Sequence, residues 1–178
     1  MAIEIERKFL VTGEGWRQGA VVKRIEQGYL PVTGDVSVRV RLQDGAATLS
    51  VKGERSGISR EEYEYAIPLA DAENMLRLCP HLPIVKHRYE IAHGGKLWQV
   101  DAFDRRHAGL VIAEIELDHA AEDFERPDWL GVEVSEDPRY RNSALARSGI
   151  PVEGEVLPLR RPTTGLTVTD LSRQRKAL

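Results

Sequence analysis

An α+β domain built on an antiparallel sheet, closed or nearly so, is the fold class the sequence predicts, and three observations predict it. Polar and apolar residues alternate with period two through at least eight short segments. Glycines sit in the connections, as hairpin turns prefer. Few of the segments are separated by anything long enough to be the crossover helix that parallel strands need.

The first strand is expected over 3–11, where Ile3, Ile5 and Phe9 fall on one face and Glu4, Glu6 and Lys8 on the other. A second is expected near 25–30. In 36–42 Val36, Val38, Val40 and Leu42 oppose Ser37, Arg39 and Arg41, and in 47–52 Leu49 and Val51 oppose Thr48, Ser50 and Lys52. The pattern continues through 60–67, 84–91, 97–103, 111–118 and 132–135, with Gly45, Gly57 and Gly94–Gly95 between strands. Three segments read as helices. Residues 70–79 carry Leu69, Ala72, Leu76 and Cys79 on one stripe and stop at Pro80; 119–126 lie between a capping Asp118 and Pro127. Residues 138–148 have Asp137 as N-cap, Pro138 at the first position and Gly149 after the end. Tyr63, Tyr65 and Tyr89 lie opposite the charges and are expected to pack.

At 178 residues with 42% hydrophobic content, the chain suits one domain, expected over 1–150, with a C-terminal tail over 151–178. Its net charge of −3 argues against a nucleic-acid partner. The lone Cys79 makes no intramolecular disulfide, and the five histidines are scattered without ligand spacing. No apolar run approaches the roughly 18 residues of a membrane span, and the charged start does not suit a signal peptide. A soluble cytoplasmic protein without a membrane partner is expected; a homodimer is left open. No phosphate loop, dinucleotide motif, G-x-S-x-G or H-E-x-x-H occurs.

The charges are sorted rather than mixed. Glu4/Glu6, Arg39/Arg41, Glu62/Glu64, Lys86/Arg88 and Glu114/Glu116 are like pairs two residues apart, about 6.6 Å on one strand face. Like charges so placed repel, and a sequence shaped by stability alone would mix signs. Paired carboxylates suit a hard divalent cation, and paired bases suit a phosphate chain. Periodicity does not say whether these faces point into the sheet or into water; a polar-out sandwich is the plainer alternative.

Glu4-x-Glu6-x-Lys8 at the N-terminus resembles the hallmark of the CYTH, or triphosphate tunnel metalloenzyme, superfamily. Its sequels stand in family order: Arg39-x-Arg41, Lys52 in SVKG, Glu62-x-Glu64 after Ser59-Arg60, Lys86-x-Arg88, Asp101 and Glu114-x-Glu116. QGYL at 27–30 and EDPRYRNSALA at 136–146 are similar to the short bacterial members that hydrolyse inorganic tripolyphosphate. The resemblance covers about 1–149. It implies a closed eight-stranded antiparallel tunnel with charged faces inward and a few helices outside. By it, Glu4, Glu6 and Glu116 hold Mg²⁺ or Mn²⁺, with Asp101 and Glu114 nearby and Glu62 or Glu64 touching a second metal. Arg39, Arg41, Lys52 and Arg88 bind the triphosphate, and Lys8, Tyr29 and Lys86 complete the catalytic set, Tyr29 hydrogen-bonding near Lys8 and Lys86. The family's usual lysine in the last helix is replaced here by Ser143, with Arg139 and Arg141 close by. The implied activity is metal-dependent hydrolysis of tripolyphosphate to pyrophosphate and phosphate. Thiamine triphosphatase, adenylate cyclase and a non-catalytic polyphosphate or nucleotide binder are the alternatives.

Overall fold

The structure, a computed structural model, describes residues 3–152. The tail expected over 151–178 lies, beyond Val152, outside the described residues. Nine strands and two α-helices follow in the order β1 (Ile3–Val11), β2 (Val21–Leu30), β3 (Ser37–Gln43), β4 (Ala46–Lys52), β5 (Ser59–Ala66), α1 (Leu69–Arg77), β6 (Ile84–His93), β7 (Lys96–Phe103), β8 (Val111–Glu116), β9 (Leu130–Glu133) and α2 (Asn142–Ser148).

The sheet runs β5-β4-β3-β2-β6-β7-β8-β1, all antiparallel, and closes through β1–β5. The closing strand divides its free edge between two partners. Ile3–Ile5 pair with β5, while Phe9 and Val11 pair with β9. The short β9 therefore lies outside the eight-stranded barrel proper. Two tight hairpins set the register. Asp44–Gly45 join β3 to β4 at φ 50° and 82°, and Gly94–Gly95 join β6 to β7 at 57° and 74°, the left-handed pair a two-residue turn requires.

The barrel is polar within, and its main apolar core lies outside it. On β1, β7 and β8 the outward residues Phe9, Trp98, Val100, Ala113 and Ile115 form one buried cluster with Trp16 and Leu117. Phe124 and Trp129 cover it, edge-on to Trp98 at 5.5 and 5.6 Å. Such contacts add about 0.5–1.5 kcal/mol each beyond area burial. This packing overrides the helix expected over 119–126. The segment makes one turn and then runs without regular structure, because an extended path carries Phe124 onto Trp98 and Phe9.

On another side, α1 lies across β2–β4, with Ala72 fully buried against Val40 and Ala47. Gly28 of the QGYL stretch faces it: a Cβ there would stand 2.7 Å from Cys79 Sγ and 2.9 Å from Leu76 Cδ2. The third expected helix is split, a 3₁₀ turn over Pro138–Tyr140 preceding α2, and the Asp137 side chain caps that turn by accepting from the Arg139 backbone N–H. The tyrosines divide. Tyr89 packs on Trp16 at 4.7 Å, but Tyr63 and Tyr65 are exposed, since no described element covers that stretch of β5. Among the described residues no helix is long and apolar enough to cross a membrane.

Candidate active site

Inward positions of the barrel enclose a cavity of about 490 Å³. Its wall carries Lys8, Arg39, Arg41, Lys52, Arg55, Arg60, Arg88 and Arg141 against Glu4, Glu6, Glu62, Glu64, Glu114 and Glu116. The charged faces therefore point inward, and the polar-out sandwich is excluded. Closure explains the gathering. Register sets Glu4 opposite Arg60, Glu6 opposite Glu116, Lys8 opposite Glu114 and Lys52 opposite Glu62.

Most of these charges are matched. Lys52 Nζ lies 2.8 Å from Glu4 Oε1 and 3.0 Å from Glu62 Oε2. Arg60 Nε donates to Glu4 Oε2 at 2.6 Å. Burial alone would raise the Glu4 carboxyl; Lys52 and Arg60 overturn that and hold it at about 2. Lys8 contacts Glu114 and lies 3.2 Å from Glu6 Oε1. Burial pulls its ammonium down, but Glu114 and Glu6 leave it above the ordinary lysine range. Arg39 donates to Ser50 Oγ at 2.9 Å and Glu64 Oε2 at 3.2 Å.

Two cations are not matched. Arg41 and Arg141 line the cavity without an ion pair or side-chain hydrogen bond to a described residue, and the Nε of each is buried without an acceptor. Burial, with Arg39 and Arg88 alongside, lowers the Arg41 guanidinium to about 10. Buried donors of this kind are costly unless something arrives to accept from them.

Lys86 and Asp101 are fully buried and stand outside the cavity wall. They sit beside an apolar layer of Ile84, Phe103, Ile112, Leu145 and Ala146, where α2 closes on the barrel. Lys86 pairs with Asp101, reaches Asn142 Oδ1 at 3.4 Å and lies 5.3 Å from the Phe103 ring centre. Burial lowers its ammonium to about 7. Tyr29 is on the wall, but its hydroxyl accepts from Gln27 Nε2 at 3.1 Å rather than from either lysine.

Sequence reasoning did not single out Arg55 or Gln99, and it did not assign Arg60 or Arg141 a role. Arg60 shares the parity of Glu62 and Glu64, so the alternation held that signal. Arg55 lies in the β4–β5 loop, where no alternation exists to show that it points inward. Arg139 turns away to Asp137, 2.7 Å between Nη2 and Oδ2, while Arg141 and Ser143 face the cavity.

For a metal, the candidate donors are Glu4, Glu6 and Glu116. No three acidic or histidine side chains among the described residues converge as a ready shell, and Glu4 and Glu6 are turned to basic partners. Glu116 makes no ion pair with a described residue, and burial with the nearby Glu4 and Glu6 raises its carboxyl. An all-oxygen set short of charge neutralisation at Glu116 fits a hard divalent cation. Mg²⁺ in particular is usually held by one or two carboxylates, waters and substrate phosphates rather than by a full protein cage.

A protein-family model described as the CYTH domain matches residues 2–147. An inorganic triphosphatase of Acetivibrio thermocellus is 46% identical over 149 residues, 83% of this chain and 96% of that protein. An inorganic triphosphatase of Nitrosomonas europaea is 38% identical over 150 residues, 82% of this chain and 97% of that one. The crystal structure of the inorganic triphosphatase NE1496 is similar with a TM-score of 0.63 at 33% identity, over 85% of this chain and 99% of that chain.

Proposed function

Since this chain belongs to the CYTH domain family, we propose that it hydrolyses inorganic tripolyphosphate to pyrophosphate and phosphate with Mg²⁺ or Mn²⁺. The observation that carries the proposal is the enclosed cavity in which basic side chains outnumber carboxylates and Arg41 makes no ion pair or side-chain hydrogen bond to a described residue.

The proposed division of labour follows from the charges. Arg39, Arg41, Lys52 and Arg88 bind phosphate oxygens, the arginines through a fork that suits two oxygens at once. Lys8, kept protonated by Glu114 and Glu6, places a positive charge where charge builds on the transferred phosphoryl group. Phosphoryl transfer asks mainly for positioning and for stabilisation of that charge, so no covalent nucleophile is needed. A divalent cation, when bound by Glu4, Glu6 and Glu116, would add charge at the phosphate oxygens and make water a better nucleophile. Asp101 supports this reading from behind the wall, fixing Arg88 rather than meeting ligand.

An organic triphosphate is the second reading. Tyr29 is the only aromatic residue among the described lining residues, while Trp16 and Trp98 belong to the outer core. Little is left to stack on an adenine or thiazole ring. Phosphate release from tripolyphosphate, ATP and thiamine triphosphate, each with Mg²⁺, with Mn²⁺ and with chelator, tests the proposal. Tripolyphosphate with metal is expected to be the fastest pair. Faster release from either organic triphosphate favours the second reading.

A further inference from the structure

Beyond the paired strand residues, the cavity holds a basic group supplied by loops. Arg55 comes from the β4–β5 connection and Arg141 from the residue before α2, far apart in sequence, and both line the cavity beside Arg60. The Arg55 side chain is only 8% exposed. Its Nη2 donates to Glu6 Oε1 at 2.9 Å, but its Nε and Nη1 are buried without acceptors, as is Nε of Arg141. Arg60 is occupied by Glu4 and Glu6. Arginines brought together with donors unused leave room for an acceptor that no described residue supplies.

The geometry points to Arg55 and Arg141 as a second phosphate subsite, separate from the one made by Arg39, Arg41 and Arg88, so that the two ends of a linear triphosphate are held by different arginine groups. The inference rests on the proposed function and deepens it by naming what selects chain length. The charges acting on the two groups agree with their separation. Arg41 is perturbed, after burial, by Arg39 and Arg88, whereas Arg141 is perturbed, after burial, by Arg55 and Arg60. Pyrophosphate satisfies one group. Tripolyphosphate reaches both, and its added affinity over pyrophosphate comes from Arg55 and Arg141.

The test is calorimetric binding of orthophosphate, pyrophosphate and tripolyphosphate to the full chain, in chelator to prevent turnover and at one ionic strength. Wild type, Arg55→Gln, Arg141→Gln and the charge-keeping Arg55→Lys and Arg141→Lys are compared. Each Gln variant should weaken tripolyphosphate about tenfold or more, the size of a lost charge-assisted hydrogen bond, while pyrophosphate changes little. The Lys variants should fall between, because a point charge replaces the fork. Unchanged melting curves distinguish these losses from misfolding. Equal losses for all three anions, or no loss in any variant, overturn the inference while leaving the function standing. Failure of the wild-type protein to bind tripolyphosphate in chelator also overturns the inference, whereas the function itself falls only if no phosphate is released from tripolyphosphate with Mg²⁺ or Mn²⁺.

Discussion

Arg88 grips Asp101 through two donors, Nε to Oδ1 at 2.7 Å and Nη2 to Oδ2 at 2.6 Å, and the same Nη2 reaches Glu114 Oε2 at 2.8 Å. With Lys86 on its other side, Asp101 has no face turned to the cavity. Arg88 and Lys86 together hold its carboxyl below the ordinary range although burial pushes the other way. The carboxylate thus fixes an arginine that is proposed to bind phosphate.

Asp101→Asn should therefore behave as a broken buried ion pair. Urea unfolding should show a loss of about 3 kcal/mol or more, the usual cost of leaving a buried charge uncompensated. KM for tripolyphosphate should rise as Arg88 loses its orientation. The metal concentration giving half-maximal rate should stay within about twofold, because the group lies away from the proposed metal donors. A selective rise in metal requirement would return Asp101 to the metal set.

Arg41→Gln is expected to separate function from stability in the opposite sense. Arg41 buries its Nε without an acceptor among the described residues and is repelled by Arg39 and Arg88. Its removal should leave the melting temperature of the ligand-free protein unchanged or raised, while kcat/KM for tripolyphosphate falls at least about tenfold. Thermal melts with and without tripolyphosphate read both effects, and the stabilisation by ligand should shrink with affinity.

Glu116→Gln removes a carboxylate that makes no ion pair with a described residue and that burial, Glu4 and Glu6 push up. Stability without metal should hold or rise. The Mg²⁺ needed for half-maximal activity should increase by about an order of magnitude, as for loss of one hard oxygen ligand. A titration of rate against Mg²⁺ at saturating substrate measures it.

Acid stability follows from Glu4. Its folded-state carboxyl, at about 2, lies below the ordinary 4.5. A depressed carboxyl contributes stability that is fully present above the unfolded value and is lost as pH falls through the folded one. The window is therefore from about pH 4.5 down to about 2, and the loss is up to about 3 kcal/mol. Unfolding free energy measured across this range in chelator should fall with pH, and Glu4→Gln should flatten the fall.

The sequence carried the strands and the inward charges because a barrel translates parity directly into side. Glu4, Glu6, Lys8, Arg39 and Arg88 sit on faces that alternation alone could group. Alternation could not show which face was enclosed, since that depends on the β1–β5 closure, a pairing between distant residues. It was blind to Arg55, on a loop with no period. It also could not foresee that Asp101 and Lys86, of the same parity as cavity residues, would be sealed under α2 by Ile84, Phe103 and Leu145. The helix expected over 119–126 failed for a related reason: its cap and stop signals are local, whereas the attraction of Phe124 to Trp98 is tertiary.

Phosphorus NMR of tripolyphosphate incubated with the protein and Mg²⁺ tests the central claim most directly, because it counts every product at once. A metal-dependent tripolyphosphatase should give pyrophosphate and orthophosphate in equal amounts from the first time point with metal, and should leave tripolyphosphate intact when chelator replaces metal. Tripolyphosphate that stays intact with Mg²⁺ and Mn²⁺ alike, or that turns over equally well in chelator, would contradict it.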